Sequence, residues 1–228
     1  MGIEDLSSTT YERVRDAIRT DIANGVLPAG HRLKLAELVK RYGTSAIPIR
    51  DALQQLQGEG FIVFLPNRGA SVRQIDRSFL WQIYEIRKAV ELYFVTDLAE
   101  KGLTPSSLDE LRSLLKQHEQ ALVGGDEGRV HDLDWAFHLR IIGASANAEA
   151  ASLLGRHYTM IRPLRVRFGR GDVQRKRIPR DHAEILAAIE HKDSAQARRL
   201  IASHIDTAFE DLVSLALPAT VIGAKQAV

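Results

Sequence analysis

The sequence predicts a mainly α protein with one small β element near its N-terminus. Three observations carry this. Apolar residues recur at three- and four-residue spacing along most of the chain. Two short apolar runs flank Pro66-Asn67-Arg68-Gly69, and strand signals vanish after Phe79. The 228 residues suit one large or two modest domains, and 45% hydrophobic against 26% charged residues is an ordinary globular balance.

Tyr11, Val14, Ile18 and Ile22 repeat at helical spacing behind Ser8, Thr9 and Thr10, and Asn24-Gly25 stops the pattern. After the turn Leu27-Pro28-Ala29-Gly30, a short helix is expected over Leu35 to Tyr42, ending at Gly43. Ser45 is placed as the cap of a third helix whose apolar face is Ile49, Ala52, Leu53 and Leu56. Pro48 is tolerated there because amides of the first turn have no partner. Strands are expected over 61–65 and 70–75. Two helices around a tight turn, followed at once by a hairpin, make a winged helix-turn-helix. Six helical segments follow, near 79–101, 105–123, 127–143, 147–168, 179–190 and 194–215. The domains read as 1–76, a winged helix-turn-helix; 77–216, an all-helical bundle; and 217–228, a flexible tail.

The chain has no Cys, which excludes disulfides, thiolate nucleophiles, iron–sulfur clusters and zinc fingers; any metal must sit on His and carboxylate. No signal peptide or run of about eighteen apolar residues is present, so a cytoplasmic location without membrane contact is expected. Net charge is only +2, but Lys and Arg concentrate in two places: His31–Ile75, and Arg162–Arg180, where eight basic residues oppose only Asp172. Either run can be a solvated face.

Arg50, Gln54 and Gln57 share the face of the third helix opposite its apolar stripe, at i, i+4 and i+7. Arg can grip phosphate or guanine and Gln can pair with adenine, so this face suits the major groove, with Arg68 at the wing tip beside the minor groove. A solvated helix of a protein adaptor is the alternative. Ala-Glu-Leu-Val-Lys-Arg-Tyr-Gly-Thr-Ser at 36–45, Pro48-Ile49-Arg50-Asp51-Ala52-Leu53 and Leu65-Pro66-Asn67-Arg68-Gly69-Ala70 resemble the DNA-binding domain of GntR-family bacterial transcription regulators. The resemblance implies DNA contacts at Arg32, Ser45, Arg50, Gln54, Asn67, Arg68 and Gly69. Ala46 and Ile47 stand where that family tends to have Arg and Thr, and Leu35 and Ala36 replace an acidic and a basic residue. Fewer cations predict weaker phosphate binding with a shallower salt dependence.

In the C-terminal half, Asp134 and His138 are one helical turn apart, and His182 and His204 lie near apolar stripes of two further helices. Facing helices of a bundle can bring such groups to one cation. Taken singly, a His on an apolar face is more often a hydrogen-bonded core residue than a ligand; the i, i+4 Asp/His pair with two further His raises the ligand reading. His131 is a spare ligand, whereas His31, His118, His157 and His191 read as surface residues. Ile83 to Glu91, Asp134-Trp135-Ala136-Phe137-His138, Asp181 to Ile189 and Ala197 to Ile205 resemble successive motifs of the FCD ligand-binding domain, in the FadR branch of the GntR family. That resemblance implies a divalent metal, zinc or nickel, held by Asp134, His138, His182 and His204, with a small carboxylate bound beside it. Three imidazoles and one carboxylate do favour first-row ions over Mg²⁺ or Ca²⁺. Arg87 and Arg162 are candidates to pair with the effector, although Arg87 could instead pair with Glu91 at i+4.

The expected function is therefore a non-enzymatic transcription regulator, a repressor, binding double-stranded operator DNA as a homodimer under control of a small organic acid. The alternatives are a metal-dependent hydrolase with an accessory nucleic-acid domain and a regulator whose metal is purely structural.

Overall fold

A computed structural model describes residues 9–66 and 69–217. The chain divides into two compact units between Ile75 and Asp76.

The N-terminal unit begins with α1 (Thr10–Ala23), started by a capping box in which the Thr9 amide donates to Glu12 Oε2 at 2.6 Å. α2 (Leu35–Tyr42) ends on Gly43, whose φ of 62° is the left-handed conformation a helix stop of this type uses. α3 (Ala46–Gly58) buries Ile49, Ala52, Leu53 and Leu56 against α1 and α2. These residues join Val14, Ile18, Leu38, Phe61, Ile62 and Val72 in one core. Each such large side chain taken out of water contributes about 1.5–3 kcal/mol. Ser45 precedes α3 in extended conformation, but its hydroxyl makes no capping bond.

β1 (Ile62–Leu65) and β2 (Gly69–Val72) pair antiparallel, Ile62 opposite Val72 and Leu65 opposite Gly69. β2 is shorter than the expected 70–75: it ends at Val72, past which Arg73 N bonds Phe61 O and Arg73 Nε bonds Gly60 O before Asp76 caps the next helix. Its outer edge is covered by residues 31–33, through Leu33 N to Ala70 O at 2.8 Å and Val72 N to His31 O at 2.9 Å. This third strip follows the Pro28–Gly30 turn. It is too short to show a strand period. Asn67 and Arg68 at the wing tip lie outside the described residues, as does the expected tail beyond Leu217.

The C-terminal unit comprises α4 (Arg77–Lys101), α5 (Pro105–Gly124), α6 (Glu127–Ala144), α7 (Ala148–Phe168), α8 (Asp172–Glu190) and α9 (Ser194–Ala216). Asp76, Thr104, Asp126, Asn147 and Asp193 each accept a bond from the amide three residues on, which fixes five of the six starts. A cap of this kind contributes about 1 kcal/mol. The exception is α8, which begins seven residues before the expected Pro179. Proline lacks an N–H and removes one intrahelical bond; burial of Gln174 and Ile178 docks the preceding turns and keeps the helix continuous. α4 packs on α9, α6 and α8; α5 packs on α6 and α8; α8 packs on α9. The inward faces of α4, α6, α8 and α9 therefore share one interior. No helix among the described residues is long and apolar enough to cross a membrane.

Candidate metal centre and nucleic-acid interface

α6 projects Asp134 and His138 from consecutive turns, α8 projects His182 and α9 projects His204, all buried. His204 Nε2 lies 3.2 Å from His138 Nε2 and 3.3 Å from His182 Nε2, and Asp134 Oδ1 lies 3.4 Å from His182 Nε2. One ligand atom from each of the four falls within 4.8 Å of all the others. A four-coordinate ion with metal–nitrogen bonds near 2.0–2.1 Å holds its ligand atoms about 3.3 Å apart.

The surrounding groups decide which ring nitrogen carries the proton. His138 Nδ1 lies 2.6 Å from Glu91 Oε2, a close approach rather than an aligned hydrogen bond, and His204 Nδ1 is 3.3 Å from Asp181 Oδ2. A carboxylate beside Nδ1 favours the proton there and turns the Nε2 lone pair inward. Asp134 Oδ1 is buried without a hydrogen-bond partner. Two inward lone pairs and an orphaned carboxylate oxygen thus converge with His182 Nε2 on one point, so the residues fit a cation.

Electrostatics agree. Burial lowers the His138 imidazole, and although Glu91 opposes this the net shift is downward. Burial, then His204 and His138, push His182 well below its ordinary range. Burial would raise the Asp134 carboxyl, yet Arg170 and the neighbouring imidazoles outweigh it and hold it well below the usual range. Neutral imidazoles and an ionised carboxylate are the forms that bind a metal.

Behind the cluster stands a second set of buried charges. Arg87 Nε donates to Glu91 Oε1 at 2.5 Å, and its guanidinium lies 4.8 Å from the Trp135 ring. Arg170 Nη2 donates to Asp134 Oδ2 at 3.1 Å and lies 3.3 Å from His131 Nδ1. Arg87 Nη2 and Arg170 Nη1 have no hydrogen-bond partner although both are buried. The pairing of Arg87 with Glu91 is thus present and still leaves one nitrogen free. Arg162 is elsewhere: it pairs with Asp132 at 2.7 Å on a side chain 41% exposed. His131 faces Arg170 and lies outside the four-ligand set.

Arg170 was hidden in the second basic run. Two residues of that run are turned inward while Arg167, Lys176 and Arg180 stay exposed: Arg165 is buried on Asp211 and the Ala208 carbonyl, and Arg170 on Asp134. Arg170 sits between Gly169, whose φ of 67° and ψ of −147° suit glycine, and Gly171, where a Cβ would meet Asp211 Oδ1 at 3.0 Å.

Two histidines expected at the surface are buried, His118 and His157, whereas His31 and His191 are exposed. Their burial was readable: His118 continues the stripe Leu108, Leu111, Leu115, and His157 continues Ala150, Leu154 and precedes Ile161. Burial lowers His118 and His157 to about 4 and His131 to about 3. These groups stay neutral when folded and take up protons only on unfolding. Their contribution is complete above an ordinary value of 6.5 and is lost as pH falls toward 3–4. Urea unfolding of the metal-free protein should therefore show stability declining below pH 6.5, with a slope approaching about 1.4 kcal/mol per pH unit for each of His118 and His131. A flat profile from pH 7 to 5 contradicts this.

In the N-terminal unit Arg32, Ser45, Arg50, Gln54 and Gly69 are all exposed. Arg32, Arg50, Gln54 and Gly69 line one cavity of about 600 Å³ with Lys34 and Phe64. Arg32, Lys34 and Arg50 thus put cationic groups beside the wing residues Phe64 and Gly69, a face of the kind that meets a duplex.

A winged helix-turn-helix with this face, on one chain with a helical domain, defines a DNA-binding transcription regulator. Residues 10–72 match the gntR family of bacterial regulatory proteins and residues 82–207 match the FCD domain. The chain belongs to the GntR family of regulators that carry an FCD domain. It is similar to the Nta operon transcriptional regulator of Aminobacter aminovorans, 28% identical over 82% of this chain and 86% of that one. It is also similar to the probable D-xylose utilization operon transcriptional repressor of Paenarthrobacter nicotinovorans, 26% identical over 87% and 86%. Among solved structures, Escherichia coli McbR/YncC superposes with a TM-score of 0.68 at 25% identity, covering 91% of this chain and 98% of that one. These families are regulators, not enzymes, which sets the metal-dependent hydrolase aside.

Proposed function

We propose that this regulator is a cytoplasmic repressor that binds operator DNA as a homodimer through residues 1–76 and releases it when residues 77–216 take up a small carboxylate beside a divalent metal. The observation that carries the reading is the convergence of one ligand atom each from Asp134, His138, His182 and His204 within 4.8 Å. The nitrogen-rich donor set favours zinc or nickel. When bound, the ion supplies positive charge and open coordination positions for an anionic ligand. The chain's own contribution is two buried nitrogens that make no hydrogen bond, Arg87 Nη2 and Arg170 Nη1, the latter 3.7 Å from Glu127 Oε2, which offer a carboxylate charge-assisted bonds away from water. Arg170 takes the place first given to Arg162, which is occupied by Asp132. A homodimer supplies two reading helices, since one alone makes few base contacts. The acid can act only through a difference in affinity between the DNA-competent and DNA-incompetent states.

The test is a panel of small organic acids added to zinc-loaded protein, read by melting temperature and by anisotropy of a duplex selected with the same protein. One acid should raise the melting temperature and weaken DNA binding about 5–150-fold, the usual span of allosteric coupling. The response should fall at least tenfold in Arg170→Gln assayed at saturating zinc, since Arg170 also bonds the proposed ligand Asp134. No response to any acid, with metal present, leaves a purely structural ion.

A further inference from the structure

We infer that Ile47 reads the 5-methyl group of a thymine in the major groove, and so sets part of the operator preference of this chain. The inference rests on the DNA-binding reading and adds a base to it. Ile47 lies in the first turn of α3 and is 71% exposed. The core of its own unit is filled from the opposite face of the helix by Ile49, Ala52, Leu53 and Leu56, and Ile47 is not among the residues packed on it. A lone exposed apolar residue is ordinary on a protein surface; its position here is not. Ile47, Arg50 and Gln54 are spaced i, i+3 and i+7, so they form one stripe, and all three are exposed. Asp51, at i+4, flanks that stripe and is suited to a cytosine amino group rather than to phosphate.

The first residues of a recognition helix are those that reach base edges. A branched aliphatic side chain there can donate and accept nothing, so it can gain only by burying itself. The major-groove edges of the four bases offer a single apolar group, the thymine methyl. Ala46, which precedes it, is only partly exposed and sits about 100° round the helix from Ile47.

The experiment uses the full-length protein and a duplex that it enriches from a random-sequence library. Each thymine of that duplex is replaced in turn by deoxyuridine, which removes only the methyl, and the dissociation constant is measured by anisotropy at one salt concentration. One thymine per half-site should cost about fourfold on replacement, the value of burying one methyl-sized group, while the other positions stay within twofold. Ile47→Ala should melt like the wild type, bind the thymine duplex about fourfold more weakly, and bind thymine and deoxyuridine duplexes alike. A wild type indifferent to every deoxyuridine, or a penalty that survives in Ile47→Ala, overturns the inference alone. Failure to enrich any duplex overturns it together with the DNA-binding reading.

Discussion

Glu91→Ala is expected to cost the C-terminal unit about 3–5 kcal/mol, the range for removing one partner of a buried ion pair. Glu91 and Arg87 have side chains 2% and 3% exposed and stand 2.5 Å apart, and the second Glu91 oxygen is 2.6 Å from His138. Burial opposes ionisation of Glu91, yet Arg87 and His138 hold its carboxyl down at about 2. Truncation strands a guanidinium that already has one nitrogen without a hydrogen bond, and it frees the His138 ring of the candidate metal cluster. The double variant Arg87→Met/Glu91→Leu should recover most of the loss, because a buried pair can often be replaced by apolar residues at little net cost. It should not recover metal affinity, which is expected to fall about 10–100-fold when an outer partner of a ligating histidine is lost. Urea unfolding and zinc titration separate the two effects. A single-variant loss below about 1 kcal/mol contradicts the buried-pair account.

Removal of metal should have an effect of similar size. An ion present at about a thousandfold excess over its dissociation constant stabilises the folded state by about 4 kcal/mol. For a chain of this length that corresponds to roughly 10 °C in melting temperature. Dialysis against a chelator should lower the melting temperature by about that amount, zinc or nickel should restore it, and magnesium should not. His138→Ala should start low and ignore the chelator. A metal analysis finding no ion in the purified protein, combined with a chelator-independent melting curve, would reject the site.

Much of this was legible in the chain. The starts of α4, α5, α6, α7 and α9 follow from Asp, Thr and Asn caps, because a capping side chain acts on amides only two or three residues away. The i, i+4 spacing of Asp134 and His138 already places them on one helical face. What was missed depends on groups distant in sequence. Residues 31–33 form a strand strip only because β2 presents an unpaired edge. α8 runs through Pro179 because its early turns are buried by other helices. Arg170 belongs to a run of basic residues with no periodic signature, and its role appears only when Asp134, from another helix, meets it. His118 and His157 are a different matter, since helical spacing alone marked them as inward.

The four proposed ligands stand on regular helices, but Arg170 is delivered by a three-residue glycine-flanked joint between α7 and α8. That joint is tied to the cluster through the bond from Arg170 to Asp134. On the proposed function, altering that joint shifts acid recognition and metal affinity together, because the same guanidinium bonds the proposed ligand Asp134.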